Sequence, residues 1–101
     1  MARQTNTDTN GYRFTNDIID LVWQKAILDN TNWFSGNRKD ICGKSISKTQ
    51  YGNRSSELGW EIDHILPVSK GGTDHIDNLQ PLHWRTNSSK SDTYPWNCNM
   101  L

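Results

Sequence analysis

The chain has 101 residues, 33% of them hydrophobic, with eleven Lys and Arg balancing eleven Asp and Glu. That length makes one domain with a modest core. A formal net charge of zero argues against general attraction to DNA or to an anionic membrane, although a zero sum can hide a local patch. No stretch is long and apolar enough to span a bilayer. Five Trp, three Tyr and two Phe leave a few large aromatics to carry much of the burial. The charges also segregate. Within 36–55, Arg38, Lys39, Lys44, Lys48 and Arg54 face only Asp40; within 56–82, Glu57, Glu61, Asp63, Asp74 and Asp77 face only Lys70. Cys42 and Cys98 do not make a disulfide framework, and a bridge between them is not expected. "MARQTNTDTNGYRF" lacks the apolar run of a secretory leader. A soluble protein of a reducing, cytoplasmic compartment is the expectation, or of a host cytoplasm if the chain is phage-encoded.

Segment 1–14 is rich in Thr, Asn and Asp and reads as flexible. "TNDIIDLVWQKAILDN" places Ile18, Ile19, Leu21, Val22, Ala26 and Ile27 at helical spacing, with Thr15 or Asn16 as N-cap. This predicts a helix over 16–28. "NTNWFSGNRKD" reads as a polar loop and "DICGKSI" as a short strand. The turn-rich "SKTQYGNRSSELG" leads to a strand over 60–67, and "SKGGTDHID" is a loop in which Gly71 and Gly72 permit a sharp reversal. "NLQPL" is a short strand whose Pro81 suggests an edge or an end. "HWRTNSSKSD" is a helix only if tertiary contacts favour it, since Ser, Thr and Asn are mediocre helix formers. Segment 93–101, "TYPWNCNML", reads as a tail, leaving 15–92 as the single domain.

Within "WEIDHILPV" an adjacent carboxylate and imidazole, Asp63 and His64, interrupt an apolar strand. Burying unpaired charge is costly, so this pair marks either a wet edge or a binding site. If 83–92 is helical, His83 and Asn87 lie one turn apart, and Asn87, Lys90 and Ser91 share a stripe. A carboxylate oxygen and an amide oxygen suit a hard divalent cation that keeps room for water and phosphate. A neighbouring histidine is then free to take a proton.

"EIDHILPVSKGGTDHIDNLQPLHWRTNSSKSD", residues 61–92, resembles the HNH endonuclease motif of the ββα-metal nucleases. It shares an Asp-His-Ile with a nearby Pro, a Gly-Gly loop, Asn-Leu-Gln before the second hairpin strand, and Asn-x-x-Lys on the helix. The resemblance implies an α+β fold in which an N-terminal helix packs on a hairpin-helix unit. It implies a divalent-metal-dependent DNA endonuclease, with Mg²⁺ or Mn²⁺ as cofactor, DNA (taken as duplex) as partner, and 5′-phosphate and 3′-hydroxyl ends as products. Asp63 and Asn87 would hold the metal. His64 would be the general base, and Asn78 would hold the loop and orient His64. Lys90 and Arg85 are candidate phosphate contacts, and Lys90 reads equally as a solvated helix residue.

On an ideal strand Asp63 and His64 point to opposite faces, so the resemblance requires the strand to curl or end there. It also departs from the family in one respect. Many HNH domains carry two CxxC pairs on a structural zinc, whereas the corresponding stretches here read "CGKS" and "HWRT". Ser45 and Thr86 are poor zinc ligands, so the zinc ribbon is expected to be lost. His83 then divides between capping and a remnant of the zinc position, and His75 is a loop residue. Trp23, Trp33 and Trp60 are expected in the core; Trp84 and Trp96 stay open. A nucleic-acid-binding module that keeps the fold without catalysis is the alternative to the enzyme. Site specificity, RNA cleavage and oligomeric state are not readable from these residues.

Overall fold

Residues 3–101 are described by a computed structural model of the chain. It is a small α+β arrangement: α1 (Asn16–Trp23), β1 (Ile27–Leu28), β2 (Arg38–Lys39), β3 (Ser45–Ile46), β4 (Trp60–His64), β5 (Leu79–His83) and α2 (Trp84–Lys90). The short strands β1, β2 and β3 form one antiparallel sheet in that order. The longer β4 and β5 form an antiparallel pair in which Trp60 faces His83 and His64 faces Leu79. α2 follows β5 directly and packs back on the pair.

The core lies between α1 and the β4–β5 pair. Val22, Trp23 and Ala26 from the α1 side meet Ile46, Trp60, Ile62 and Leu79. Trp60 is fully buried and serves as the hub, with its ring centroid 5.2 Å from that of Trp23 and 4.9 Å from that of Tyr51. Burying a side chain of this size supplies area that the aliphatic residues of so short a chain lack.

α1 starts where expected: the Thr15 hydroxyl caps the amide of Ile18. It ends five residues early. Lys25 and Ala26 bond to Val22 and Trp23 in a tight turn, and Ile27–Leu28 pair with β2 instead. The Lys25 ammonium donates to the carbonyls of Ile76 and Leu79, fixing the turn against the loop before β5. Strand pairing and this tether override the helical periodicity of 24–28.

Three further expectations are corrected. Trp33 is not core; it is 78% exposed and stacks edge-on with Phe34. Cys42 and Cys98 do form a disulfide, which draws the tail, expected to be extended, onto the 40–44 turn. Disulfides persist in oxidising compartments, so cysteine usage no longer argues for a reducing one. Of segment 1–14, expected to be flexible, residues 1 and 2 lie outside the described residues, and 3–14 is tied to the body where Asn6 accepts the Ile62 amide at 2.9 Å and the Thr9 hydroxyl donates to Asp74 at 2.7 Å. No helix among the described residues is long and apolar enough to cross a membrane.

The 40–44 stretch, expected as a strand, is a turn organised by one buried carboxylate. Asp40 Oδ1 accepts the amides of Cys42 at 2.9 Å and Lys44 at 3.0 Å, and Oδ2 accepts the amide of His83 at 3.0 Å. His83 in turn caps α2: its Nδ1 accepts the Arg85 amide at 3.0 Å while Nε2 donates to the Glu57 carbonyl at 2.8 Å. Both ring nitrogens are occupied, which decides His83 for capping. Asp40→Ala would orphan three amides, one of them buried, and is expected to lower unfolding free energy by about 3 kcal/mol. Urea denaturation followed by tryptophan fluorescence measures this; a loss within about 0.5 kcal/mol would mean the turn holds without the carboxylate.

Candidate active site

β4 carries two carboxylates on one face, Glu61 and Asp63, as the two-residue period of a strand requires. α2 faces them with Asn87 and Lys90, three residues apart and therefore neighbours on the helix surface. Asn87 Nδ2 donates to Glu61 Oε1 at 2.8 Å, and Lys90 Nζ donates to Asp63 Oδ1 at 3.2 Å and to the His64 carbonyl at 3.1 Å. Arg54 completes the first pair with two bonds to Glu61, 2.7 and 2.9 Å. Gln80, directly across the strand pair from Asp63, donates to Asp63 Oδ2 at 2.9 Å.

Glu61, Asp63, Gln80 and Lys90 are almost wholly buried, Asn87 is partly exposed and Arg54 half-exposed. Burial pushes the Asp63 carboxyl up from the ordinary aspartate value; the bonds from Gln80 and Lys90 and the Lys90 charge offset this only in part. Asn87 is a different case. Its amide nitrogen is committed to Glu61, which leaves Oδ1 without a protein partner among the described residues.

Asp63 and His64 line the same cavity, although His64 is the last residue of β4 and is still paired with Leu79. Its Nε2 lies 2.8 Å from Asp74 Oδ1, and Phe14 packs on its ring with centroids 5.9 Å apart. Beyond His64 the chain turns through 65–78. Asn78 closes this loop: Oδ1 accepts the Leu66 amide at 2.9 Å, and Nδ2 donates to the carbonyls of Leu66 at 3.1 Å and Thr73 at 2.8 Å. Gly72 leaves no alternative, since a Cβ there would lie 1.7 Å from the Leu66 carbonyl oxygen.

Asp63, His64 and Asn87 border one cavity of about 240 Å³, together with Arg3, Arg54, Ser88 and Ser91. Of the other residues singled out from the sequence, Asn78 spends its side chain on Leu66 and Thr73 and makes no hydrogen bond to His64 among the described residues. Lys90 is neither solvated nor turned to the cavity, because it is buried in the ion pair with Asp63. Arg85 points elsewhere: its guanidinium pairs with Glu57 at 3.0 Å and lies over Trp84, 4.7 Å from the ring centroid. The sequence reading missed Glu61, Arg54, Gln80 and Asp74. Only Gln80 had a signal, since a residue directly opposite Asp63 follows once the strands are in register.

A family model for the HNH endonuclease matches residues 40–93, just over half of the chain. No curated protein and no solved structure shows a significant match. The match begins at Asp40 and takes in the turn, both long strands and α2.

The raised Asp63 carboxyl has a signed consequence for stability. A carboxyl whose pKa is raised by folding adds stability below its unfolded value and forfeits it as the pH climbs through the folded one. The metal-free protein should therefore exceed Asp63→Asn in stability most in acid, with the advantage shrinking across a window that opens at 3.8. Urea midpoints taken from acid to neutral pH test this. A difference that grows with pH would contradict it.

Proposed function

Because the chain belongs to the HNH endonuclease family, a family of nucleases, we propose that it hydrolyses DNA phosphodiester bonds with the help of a divalent cation, Mg²⁺ or Mn²⁺. The observation that carries this reading is the shared cavity that Asp63, His64 and Asn87 line together.

The donor set fits a hard cation. Asp63 offers carboxylate oxygen, and the Asn87 oxygen is free because Glu61 holds the nitrogen. Two protein oxygens are few, but Mg²⁺ keeps several waters and takes phosphate oxygens as its remaining ligands. When bound, the cation supplies electrostatic stabilisation to charge developing on the phosphate and on the departing 3′ oxygen.

The chain's own residues do the rest. His64 takes a proton from the attacking water, which needs a ring nitrogen free of protein partners, and Nδ1 has none among the described residues. Asn78 keeps loop 65–78 closed behind it. Lys90 neutralises the desolvated Asp63 in the resting protein rather than contacting phosphate. Arg3 and Arg54 are the basic side chains at the cavity wall, and both are suited to a DNA phosphate. The products are 5′-phosphate and 3′-hydroxyl ends. On this reading β4, β5 and α2 form the ββα-metal unit.

One observation favours the second reading, a nucleic-acid-binding module without catalysis. Both Asp63 oxygens already have partners, Lys90 and Gln80, so a cation must displace or share them. Supercoiled plasmid incubated with Mg²⁺, Mn²⁺ or EDTA separates the two. We expect metal-dependent nicking or cleavage that EDTA stops, and a fall of about 10²–10⁴-fold for His64→Ala while Mn²⁺ binding, read by electron paramagnetic resonance, persists. DNA retention without cleavage by the wild type would favour the module.

A further inference from the structure

Segment 3–14 reaches the candidate site at three separate points. Asn6 accepts the Ile62 amide beside Asp63, Phe14 covers the His64 ring, and Thr9 grips Asp74. The last contact is the densest: the Thr9 amide lies 3.1 Å from each Asp74 carboxylate oxygen, and its hydroxyl donates to Oδ2 at 2.7 Å. The same carboxylate holds His64 Nε2 at 2.8 Å through Oδ1.

Resting on the nuclease reading above, we propose that Asp74 is a positioning residue for His64, and that Thr9 holds Asp74 in place, so that the N-terminal segment is a working part of the site. An ionised carboxylate can only accept hydrogen bonds. Asp74 is held in that form: burial alone would raise its pKa, but the bonds from His64 and Thr9 outweigh this and lower it. Nε2 must then carry the hydrogen, and the lone pair of the neutral imidazole falls on Nδ1. That is the nitrogen without a protein partner among the described residues, and the one a base needs. Ring orientation follows from the same contacts. His64 is the last residue of β4, and no strand neighbour beyond it fixes its side chain. Asp74 at the ring edge and Phe14 against its ring define its place instead. The Thr9 bonds matter because Asp74 sits in an exposed loop, where an untethered carboxylate is free to rotate away. Sixty-five residues separate Thr9 from Asp74, so the segment acts through folding, not through chain proximity.

The test has a spectroscopic arm that needs no catalysis. In metal-free protein the ¹⁵N shifts of the neutral His64 ring are expected to report the Nε2–H tautomer. Asp74→Ala should give mixed tautomers. Asp74→Asn should shift the ring toward Nδ1–H, because the amide oxygen stays with the two Thr9 donors and the NH2 then faces Nε2. Thr9→Val should fall between wild type and Asp74→Ala. In plasmid cleavage, Asp74→Ala should lose about 10–100-fold in kcat with KM changed by less than about twofold, and Asp74→Asn, which places the proton on Nδ1, should not recover that loss. A wild-type Nδ1–H tautomer, or one indifferent to Asp74→Ala, overturns the proposal. So does a loss that appears wholly in KM. If no protein cuts DNA while the tautomer follows Asp74, the nuclease reading fails and the positioning role stands.

Discussion

The site depends on the carboxylate of Asp40, which joins two stretches of chain that nothing else among the described hydrogen bonds links as tightly. By accepting the amides of Cys42 and Lys44 it makes a turn, and by accepting the amide of His83 it docks that turn on the entrance to α2. In zinc-bearing HNH domains a metal would tie the equivalent stretches. Here one buried carboxylate does so, the Cys42–Cys98 bridge ties the same turn to the tail, and His83 spends both ring nitrogens on the local backbone. The direction in which α2 leaves β5 is set at this junction. Every contact α2 makes with β4 inherits it.

Those contacts match two different periodicities. Helix residues Asn87 and Lys90 are about 4.5 Å apart along the helix axis, and strand residues Glu61 and Asp63 about 6.6 Å apart along β4. Arg54 and Gln80 take up the lone pairs that the helix residues leave. Buried charge survives only when paired and hydrogen-bonded, and both carboxylates meet that condition. The arrangement also divides labour on α2. Lys90 is turned inward to neutralise, while Asn87 has its nitrogen tied down and its oxygen unclaimed. A short, Ser- and Asn-rich helix with poor intrinsic propensity is held by these bonds rather than by an apolar stripe.

That is why the sequence was informative in some places and silent in others. β4 lies inside the strand expected over 60–67, β5 runs one residue past the expected "NLQPL" into His83, and the Thr15 cap stands at the start of α1 as capping chemistry predicts. Residues 24–28 continued a helical pattern because the same apolar residues can serve a turn and a strand. Trp33 was assigned to the core on side-chain size, yet it lies on a surface turn. The ββα order of the motif pointed to Asp63, His64 and Asn87, and these do border one cavity. Glu61, Arg54 and Asp74 were invisible as partners because their contacts cross loops, and a charge count assigns no partner. The contact between Thr9 and Asp74 is the extreme case: a polar N-terminal stretch without periodicity reads as flexible, and only the folded loop at 65–78 reveals what it grips.

The segregated charges show the same limit from another direction. The basic run over 36–55 and the acidic run over 56–82 would form opposed surface patches if each kept its charge to itself. They do not. Arg54 is spent on Glu61, Lys39 lies 3.9 Å from Asp29, Lys48 lies 3.2 Å from Asp20, and Arg38 donates to the carbonyls of Trp23 and Gln24 while lying over the Trp23 ring. The basic segment is therefore stitched to the body as much as it is displayed. On the proposed reading, attraction for DNA would rest on the cavity wall, where Arg3 stands beside Asn87 and His64 and Arg54 keeps Nη1 outside its two bonds to Glu61, rather than on a field over the whole surface. On that reading the site would hold a phosphate only where the fold has aligned its own charges first, which returns the burden to the junction at Asp40 and to the strap at Thr9.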